Sequence, residues 1–594
     1  MASTVENKHV SSSPSINKEI EETARDSNDV GEQFTTLPQQ TQRGLSPRHV
    51  QLIVIAGGVG VGLWVGIGGV LRSAGPLPLI IGYFIYGLGF IWPTSLNVAE
   101  MVAWLPIRGS IYELAAQFVD PALGFAMGWT YFFAGAMLVC TEFSAVATVM
   151  EYWNIGVNPA VWITMCLVVC YFLNMVAVKW YGETEFIMGS TKVLLLIGLV
   201  LATLITMSGG NPQHDAYGFR NWSNGNFIHS YYAEGATGIF LSICISVRYA
   251  VFTVAGPDIV ALSAGEIRNP RKTIPSVAKM IITRIMGIYI TGVLAVGIIC
   301  SSRDPRLMGA IDSGKAGSAA SPWVIGLLNV GVSGFLPGFI NFLIMLSGWS
   351  CGNAFMYSSS RTLYSLAQDG QAPKIMLKCT KSGVPWVCVT TVSAISLLSF
   401  LVASNSSSVV FGWFVDLTTV ALVVNFTAMS WVFINWRRAL KVQGISTIGK
   451  NNMNNGTGIF SFLRLSKSPE ITEDTIIFPF IAPGGSWTPY TCALLGSTIS
   501  IFIGFDVFYP FSYRGFITSY FGLFWFAVMF LFWKVFKRTK FVDIKDIDIY
   551  LHGRKQAIDD ECRHWEYGTT DEANMEGLKK MNVFSRAWRK GWGE

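Results

Sequence analysis

Charge is scarce in this chain. Asp, Glu, Lys and Arg make up 13% of its 594 residues, about half the 25% usual in soluble proteins. Hydrophobic residues make up 51%, and the mean hydropathy is +0.44. That balance excludes an ordinary soluble domain. The six histidines and ten cysteines show no metal-ligand spacing. The cysteines fall mostly within apolar stretches (Cys140, Cys166, Cys170, Cys244, Cys351) or in polar segments read as inside ones (Cys379, Cys562), so no disulfide framework is expected. No phosphate-cradling glycine loop is present, and no nucleophile–base set emerges, so neither nucleotide hydrolysis nor another enzyme activity is expected and no cofactor is implied. A nucleic-acid partner would need a basic patch on a soluble domain, and none is visible. No basic-then-apolar leader precedes the first apolar stretch, which is expected to direct insertion itself.

What fills the chain instead is apolar runs of about 20 residues, the length of a bilayer-crossing helix. About twelve are present: 50–71, 77–99, 121–149, 158–178, 185–207, 236–263, 280–300, 335–357, 385–403, 409–434, 487–508 and 515–536. The expected fold is all-α and integral to a membrane. Residues 1–45 are polar and read as a disordered tail. Residues 46–540 form one membrane domain, with 444–475, rich in asparagine, as a flexible loop. Residues 541–594 form a charged tail that lies on the membrane surface or on the protein. Lys and Arg concentrate in alternate loops (Arg268, Arg271, Lys272, Lys279; Arg361, Lys374, Lys378, Lys381; Arg437, Arg438, Lys441) and after the last run (Lys534, Lys537, Arg538, Lys540). By the positive-inside rule both termini are cytoplasmic. Asn221 and Asn405 then lie outside, each in a glycosylation tripeptide.

The first run is crowded with Gly57, Gly58, Gly60, Gly62, Gly66, Gly68 and Gly69. Each costs about 1 kcal/mol of helical preference against alanine, so an unwound stretch is expected, and unwound backbone is tolerated at membrane depth only where it lines a cavity or is packed in protein. Ala255-Gly256-Pro257 interrupts the sixth run in the same way. Two interrupted helices five runs apart predict a pair of inverted five-helix repeats with two helices added. The alternative is that the glycines serve close helix packing.

The motifs now resemble a known family. Gly57-Gly58-Val59-Gly60-Val61-Gly62-Leu63-Trp64 with Ala74-Gly75-Pro76, Glu100-Met101-Val102 with Pro106 and Gly109-Ser110, and Phe118-Val119-Asp120-Pro121-Ala122-Leu123-Gly124-Phe125 come first. Gly265-Glu266 with Asn269-Pro270-Arg271-Lys272-Thr273-Ile274-Pro275, and Ser359-Ser360-Arg361-Thr362-Leu363-Tyr364 with Asp369-Gly370-Gln371-Ala372-Pro373-Lys374, follow. In this order, over about 45–563, they resemble the fungal amino-acid permeases of the amino acid–polyamine–organocation (APC) superfamily. The resemblance implies the APC/LeuT-like fold, with broken helices 1 and 6.

It also implies a site. Backbone at Gly60, Val61 and Gly62 would face a substrate carboxylate, and backbone from Phe252 through Thr253 and Val254 to Gly256 would face the ammonium. Val61 stands where many members carry Ser or Thr, so a hydroxyl contact is missing. Phe252 falls at the family's aromatic gate, and Trp349 falls at the side-chain pocket or in packing. Four charged residues within runs serve proton coupling or structure. Lys192 stands where a lysine replaces a sodium ion in some relatives. Asp258 caps the second half of helix 6 or accepts a proton. Glu142 serves structure, coupling or a cationic group. Arg248 pairs with Glu142 or Glu234, or meets an acidic substrate.

The function implied is a plasma-membrane, proton-coupled amino-acid symporter working by alternating access. A nutrient sensor on the same fold, or a transporter of a polyamine, choline-like or carnitine-like solute, remains open. Lys8 and Lys18 are candidate attachment points for ubiquitin delivered by ligase adaptors at the tails. Oligomeric state is not fixed by the sequence.

Overall fold

Uninterrupted apolar runs become long helices whose outward faces stay apolar. The computed structural model describes residues 47–567, apart from 108–109, 154–155, 177, 224, 255, 257–262, 266, 268, 313–320, 404–406, 450–475, 486 and 552. The tail 1–45 with Lys8 and Lys18, as well as Asp258 and Asn405, lies outside the described residues.

Among those residues ten helices are long and apolar enough to cross a membrane, two fewer than the apolar runs in the sequence. The first run is missing because it is interrupted: α1 (Pro47–Gly58) stops, and the chain resumes as a π-helical turn (Gly62–Gly66) and α2 (Ile67–Ala74). The fourth run forms a helix of only 17 residues, Pro159–Met175.

In chain order there follow α3 (Pro76–Tyr86), α4 (Trp92–Trp104), α5 (Ser110–Phe118), α6 (Pro121–Met150), α7 (Pro159–Met175), α8 (Val178–Met207) and α9 (Gly235–Thr253). Then come α10 (Pro270–Arg284), α11 (Thr291–Ile299), α12 (Pro305–Asp312), α13 (Pro322–Asn329), α14 (Phe335–Gln368) and α15 (Trp386–Ser396). The chain ends with α16 (Ser407–Val442), the short strands β1 (Thr447–Gly449) and β2 (Ile476–Phe478), α17 (Thr488–Phe502), α18 (Tyr513–Lys537) and α19 (Arg554–Tyr567). The strands pair in parallel, Thr447 opposite Ile476.

Helix α6 is the centre of the bundle, with 94% of its most apolar window buried against 11% for α18. It packs on α14, α16 and α18, while α9 packs on α3 and α1 on α8. Polar side chains inside α6 bond back into their own helix: the hydroxyls of Thr141, Ser144 and Thr148 donate to carbonyls four residues earlier. Large apolar residues on the outer helices, such as Leu194, Phe240, Leu494 and Val535, are 63–75% exposed. Such surface is stable against lipid rather than water.

One end of the bundle is laced with ion pairs. Glu100 at the end of α4 is fully buried, pairs with Arg437 at 2.8 Å and accepts the Ala482 amide at 2.7 Å. Asp120 caps α6 and holds Lys534 and Thr539. The C-terminal tail lies on the protein here. The Val542 amide donates to the Val119 carbonyl at 2.9 Å, and Gln443 donates to Ile547 at 2.8 Å. Arg554 reaches Glu113, and Asp559 accepts from both Arg271 and Lys555. Lys555 also sits 3.8 Å over the Trp104 ring. Burial lowers the pKa of its ammonium, against the bond to Asp559.

Glu100→Ala leaves Arg437 without this carboxylate and the Ala482 amide without an acceptor. We expect a loss of about 3 kcal/mol, seen as a lower unfolding midpoint of the detergent-purified protein. An unchanged midpoint would show that this anchor carries no stability.

Candidate substrate site

Seven polar backbone groups between Gly57 and Trp64, at and after the end of α1, have side-chain partners on other segments. The Tyr289 hydroxyl donates to the Gly58 carbonyl at 2.7 Å, Ser347 to Val59 at 3.0 Å and Cys351 to Gly57 at 3.2 Å. Farther on, Tyr249 donates to Gly62 at 2.8 Å, Trp323 to Leu63 at 3.4 Å and Ser321 to Trp64 at 2.8 Å. The single amide in this set, that of Val61, donates to Oε2 of Glu142 at 3.2 Å. Backbone in an apolar interior must be satisfied within the protein, and side chains from α6, α9, α14 and the α10–α11 and α12–α14 regions do this.

A cavity opens against that unwound backbone. Gly57, Gly58, Gly60, Gly62 and Leu63 line it on one side, and Phe252, Thr253, Val254 and Gly256 on the other. Leu138, Phe355, Leu422 and Phe426 supply an apolar wall, with Glu142 and Cys351 as the polar side chains. Glu142 is the one charged lining residue among those described. The space is tight: a methyl group added to Gly60 would come within 1.9 Å of Oε1 of Glu142, and one on Gly256 within 2.2 Å of the Phe426 ring.

The sequence-predicted residues divide as follows. Gly60, Gly62, Phe252, Thr253, Val254 and Gly256 all line this one cavity. Val61 contributes its amide, but its side chain turns away toward Gly348, where an added methyl would lie 2.4 Å from Cγ2 of Val61. Trp349 is not among the lining residues. Its neighbours Ser347 and Cys351 are the ones on α14 that reach helix 1. Phe252 stands against Phe411 of α16 in an edge-on pair at 6.0 Å and beside Tyr249. Helix α9 ends at Thr253, leaving its last carbonyls and the negative pole of the helix beside the cavity.

Behind the site is a buried polar cluster. Lys192 on α8 lies within electrostatic reach of Glu142, Glu185 and Cys351. Glu185 accepts from Ser350 at 3.1 Å and from Asn353, and Asn353 in turn accepts from Asn174 at 2.8 Å. Glu185, Asn353 and Asn174 were missed by sequence reasoning, although Glu185 is an acidic residue at the start of an apolar run and so carried a signal. Arg248 pairs with neither Glu142 nor Glu234. Its guanidinium donates to Asp416 and Asp506. The Asn221 side-chain nitrogen, which a glycan would occupy, donates to the Ile298 carbonyl at 2.8 Å.

The family model for amino acid permeases matches residues 49–449. The chain is 35% identical over 529 residues to a proline-specific permease of Emericella nidulans, covering 88% of this chain and 90% of the relative. It is 34% identical to a proline-specific permease of Saccharomyces cerevisiae, over 86% of this chain and 78% of the relative. A dicarboxylic amino acid permease of the same yeast is 32% identical over 92% of this chain and 85% of its own length. With the broken first helix, the cavity and two-thirds of its length matched, the chain belongs to the fungal-type amino acid permeases of the APC superfamily, integral membrane transporters rather than enzymes.

Proposed function

We propose that this permease imports a small neutral amino acid together with a proton, by alternating access, across the plasma membrane. The ten long helices, the 17-residue α7 and the interrupted first segment make twelve crossings, arranged as two inverted five-helix repeats and an added pair. The lysine and arginine distribution supports a cytoplasmic location for the ion-paired end and both termini.

The observation that carries the reading is the bond from the Val61 amide to Glu142. The resemblance gives that stretch of backbone to the substrate carboxylate, so an ionised Glu142 competes with substrate for the same donor. A proton arriving on Glu142 weakens it as an acceptor and releases the Val61 amide. Substrate carboxylate then takes the amide, while the terminal carbonyls of α9 accept from the ammonium. On the cytoplasmic side Glu142 loses its proton, retakes Val61 and displaces the substrate. Lys192 keeps the cluster electrically balanced, and Phe252 with Phe411 closes the outer path. The proton gradient is the energy source.

The apolar wall, with no lining cation among the described residues, supports a neutral side chain and disfavours a dicarboxylic substrate. The names of the similar proline-specific permeases support the same size and charge class. A second reading has its own support: if Glu142 stays ionised and keeps Val61, the site suits a cationic solute such as a polyamine or carnitine, with Glu142 as counter-charge.

Radiolabelled uptake of amino acids, polyamines and carnitine in permease-deficient yeast at two external pH values separates these. We expect saturable uptake of small neutral amino acids, faster at acid pH, little uptake of aspartate, and a drop of at least tenfold in Gly60→Ala. Uptake of a cationic solute alone would favour the second reading, and no uptake by surface-expressed protein would favour a sensor.

Packing of Val61 on Gly348 gives a second test. Gly348→Ala is expected to cut uptake about tenfold, and adding Val61→Ala to restore most of it. A double variant no better than Gly348→Ala would show that the contact does not shape the site.

A further inference from the structure

Arg248 lies one helical turn before Phe252 on α9. Its Nη2 donates to Oδ1 of Asp416 on α16 at 2.5 Å and to the Ser519 hydroxyl on α18 at 3.4 Å. Its Nη1 donates to both oxygens of Asp506, at 2.9 and 3.1 Å. Asp506 belongs to the turn Phe505–Val507 between α17 and α18. It is held from another direction, since the Tyr231 hydroxyl donates to its carboxylate at 3.3 Å and the Tyr232 hydroxyl to its carbonyl at 3.0 Å. All three charged side chains are only 16–26% exposed.

The position of this set matters. One turn after Arg248 on α9 comes Phe252, which lines the cavity and packs edge-on against Phe411 of α16. On α16, Asp416 precedes the lining residue Leu422 by six positions, and on α9 Arg248 precedes the lining residue Phe252 by four. An ionic set and an aromatic pair therefore both join α9 to α16, at or on the N-terminal side of the residues by which each helix lines the cavity. The loop carrying Tyr231 and Tyr232 lies at that side, which is the outer one in the orientation proposed above. A solute approaching from there must pass this junction of α9 with α16.

We propose that Arg248, Asp416 and Asp506 form the outer latch of the permease, a positioning set that holds α9 against α16 while the cavity is shut on that side and parts to admit solute. A single guanidinium can bond both carboxylates at once because its planar fork presents five donors. The latch gives α17 and α18 a part in gating, since the turn between them supplies Asp506. A solute cannot reach the cavity from this side until α9 separates from α16. Breaking either carboxylate contact shifts the population toward the outward-open form.

The inference rests on the alternating-access reading, but its test needs no substrate, so the two can fail separately. Cys351 lines the cavity and serves as a native probe. Cells expressing the full chain are treated from outside with a cationic, membrane-impermeant methanethiosulfonate. Modification of Cys351 in surface protein is followed by mass spectrometry, with Cys351→Ala as the blank. Asp416→Asn and Asp506→Asn are each expected to raise the rate at least fivefold. Losing a carboxylate would by itself slow a cationic reagent, so the rise cannot come from local charge. Asp215→Asn, which breaks the separate Arg220–Asp215 pair, is expected to leave the rate unchanged. Equal rates in wild type and both latch variants, including no labelling in any of them, would overturn the proposal, as would an equal rise in Asp215→Asn. Monodisperse elution of each variant in detergent separates a latch effect from misfolding.

Discussion

A hydrogen bond that helix 1 cannot make to itself governs the rest of this structure. Glycines at 57, 58, 60 and 62 weaken the helix in the middle of an apolar bundle, where a freed carbonyl or amide costs several kcal/mol if left alone. The bundle answers with Tyr289, Ser347, Cys351, Tyr249, Trp323 and Ser321 on the carbonyls and Glu142 on an amide. Those partners pin down where α6, α9 and α14 must pass. They also separate two kinds of bond. The carbonyls are held by side-chain donors, whereas the Val61 amide is held by a carboxylate, the one partner in the set whose acceptor strength a proton can change.

The surrounding charges fall into groups with distinct surroundings. At one end Glu100, Asp120, Glu113 and Asp559 are tied to cations from α16, α18, α10 and the tail, which fastens the last segment of the chain across the helix ends. Toward the other end Arg248 gathers two aspartates. Between them Glu142 lines the cavity, and behind it sit Lys192 and Glu185 with a ladder of amide and hydroxyl groups. Charges in a low-dielectric interior are costly unless paired, and this spatial separation keeps pairs that brace the fold apart from the group that touches the site.

Much of this was legible in the sequence, and the reasons are local. Glycine spacing located the break in helix 1 because helical propensity is a short-range property. The family resemblance, not the run alone, implies a site at Gly60, Gly62 and Phe252, and the structure brings those residues to one cavity. Partners across the bundle were not legible. Arg248 was matched with Glu142 or Glu234, whereas its carboxylates lie 168 and 258 positions away, and nothing in periodicity reports such distances. For Trp349 the sequence leaves the side-chain pocket and packing both open; in the structure it packs against the core, while on α14 Cys351 lines the cavity and Ser347 bonds the Val59 carbonyl. Val61 offered a missing hydroxyl as a puzzle. The structure adds its packing against Gly348, which side-chain identity alone could not convey. Of the two apolar runs absent from the ten long helices, the first is absent for the same local reason that makes the site, because the interruption leaves neither half long enough; the other forms the 17-residue α7.

The exchange at the Val61 amide is tested most directly by following protons and substrate together in proteoliposomes of the purified full chain. With the outside acidic, a transported neutral amino acid added outside should acidify the lumen of wild-type vesicles. Glu142→Gln, which cannot cycle a proton, should still exchange labelled for unlabelled amino acid across the membrane while leaving luminal pH unchanged. Acidification by Glu142→Gln at the wild-type rate would contradict the account and move the coupling proton to another group.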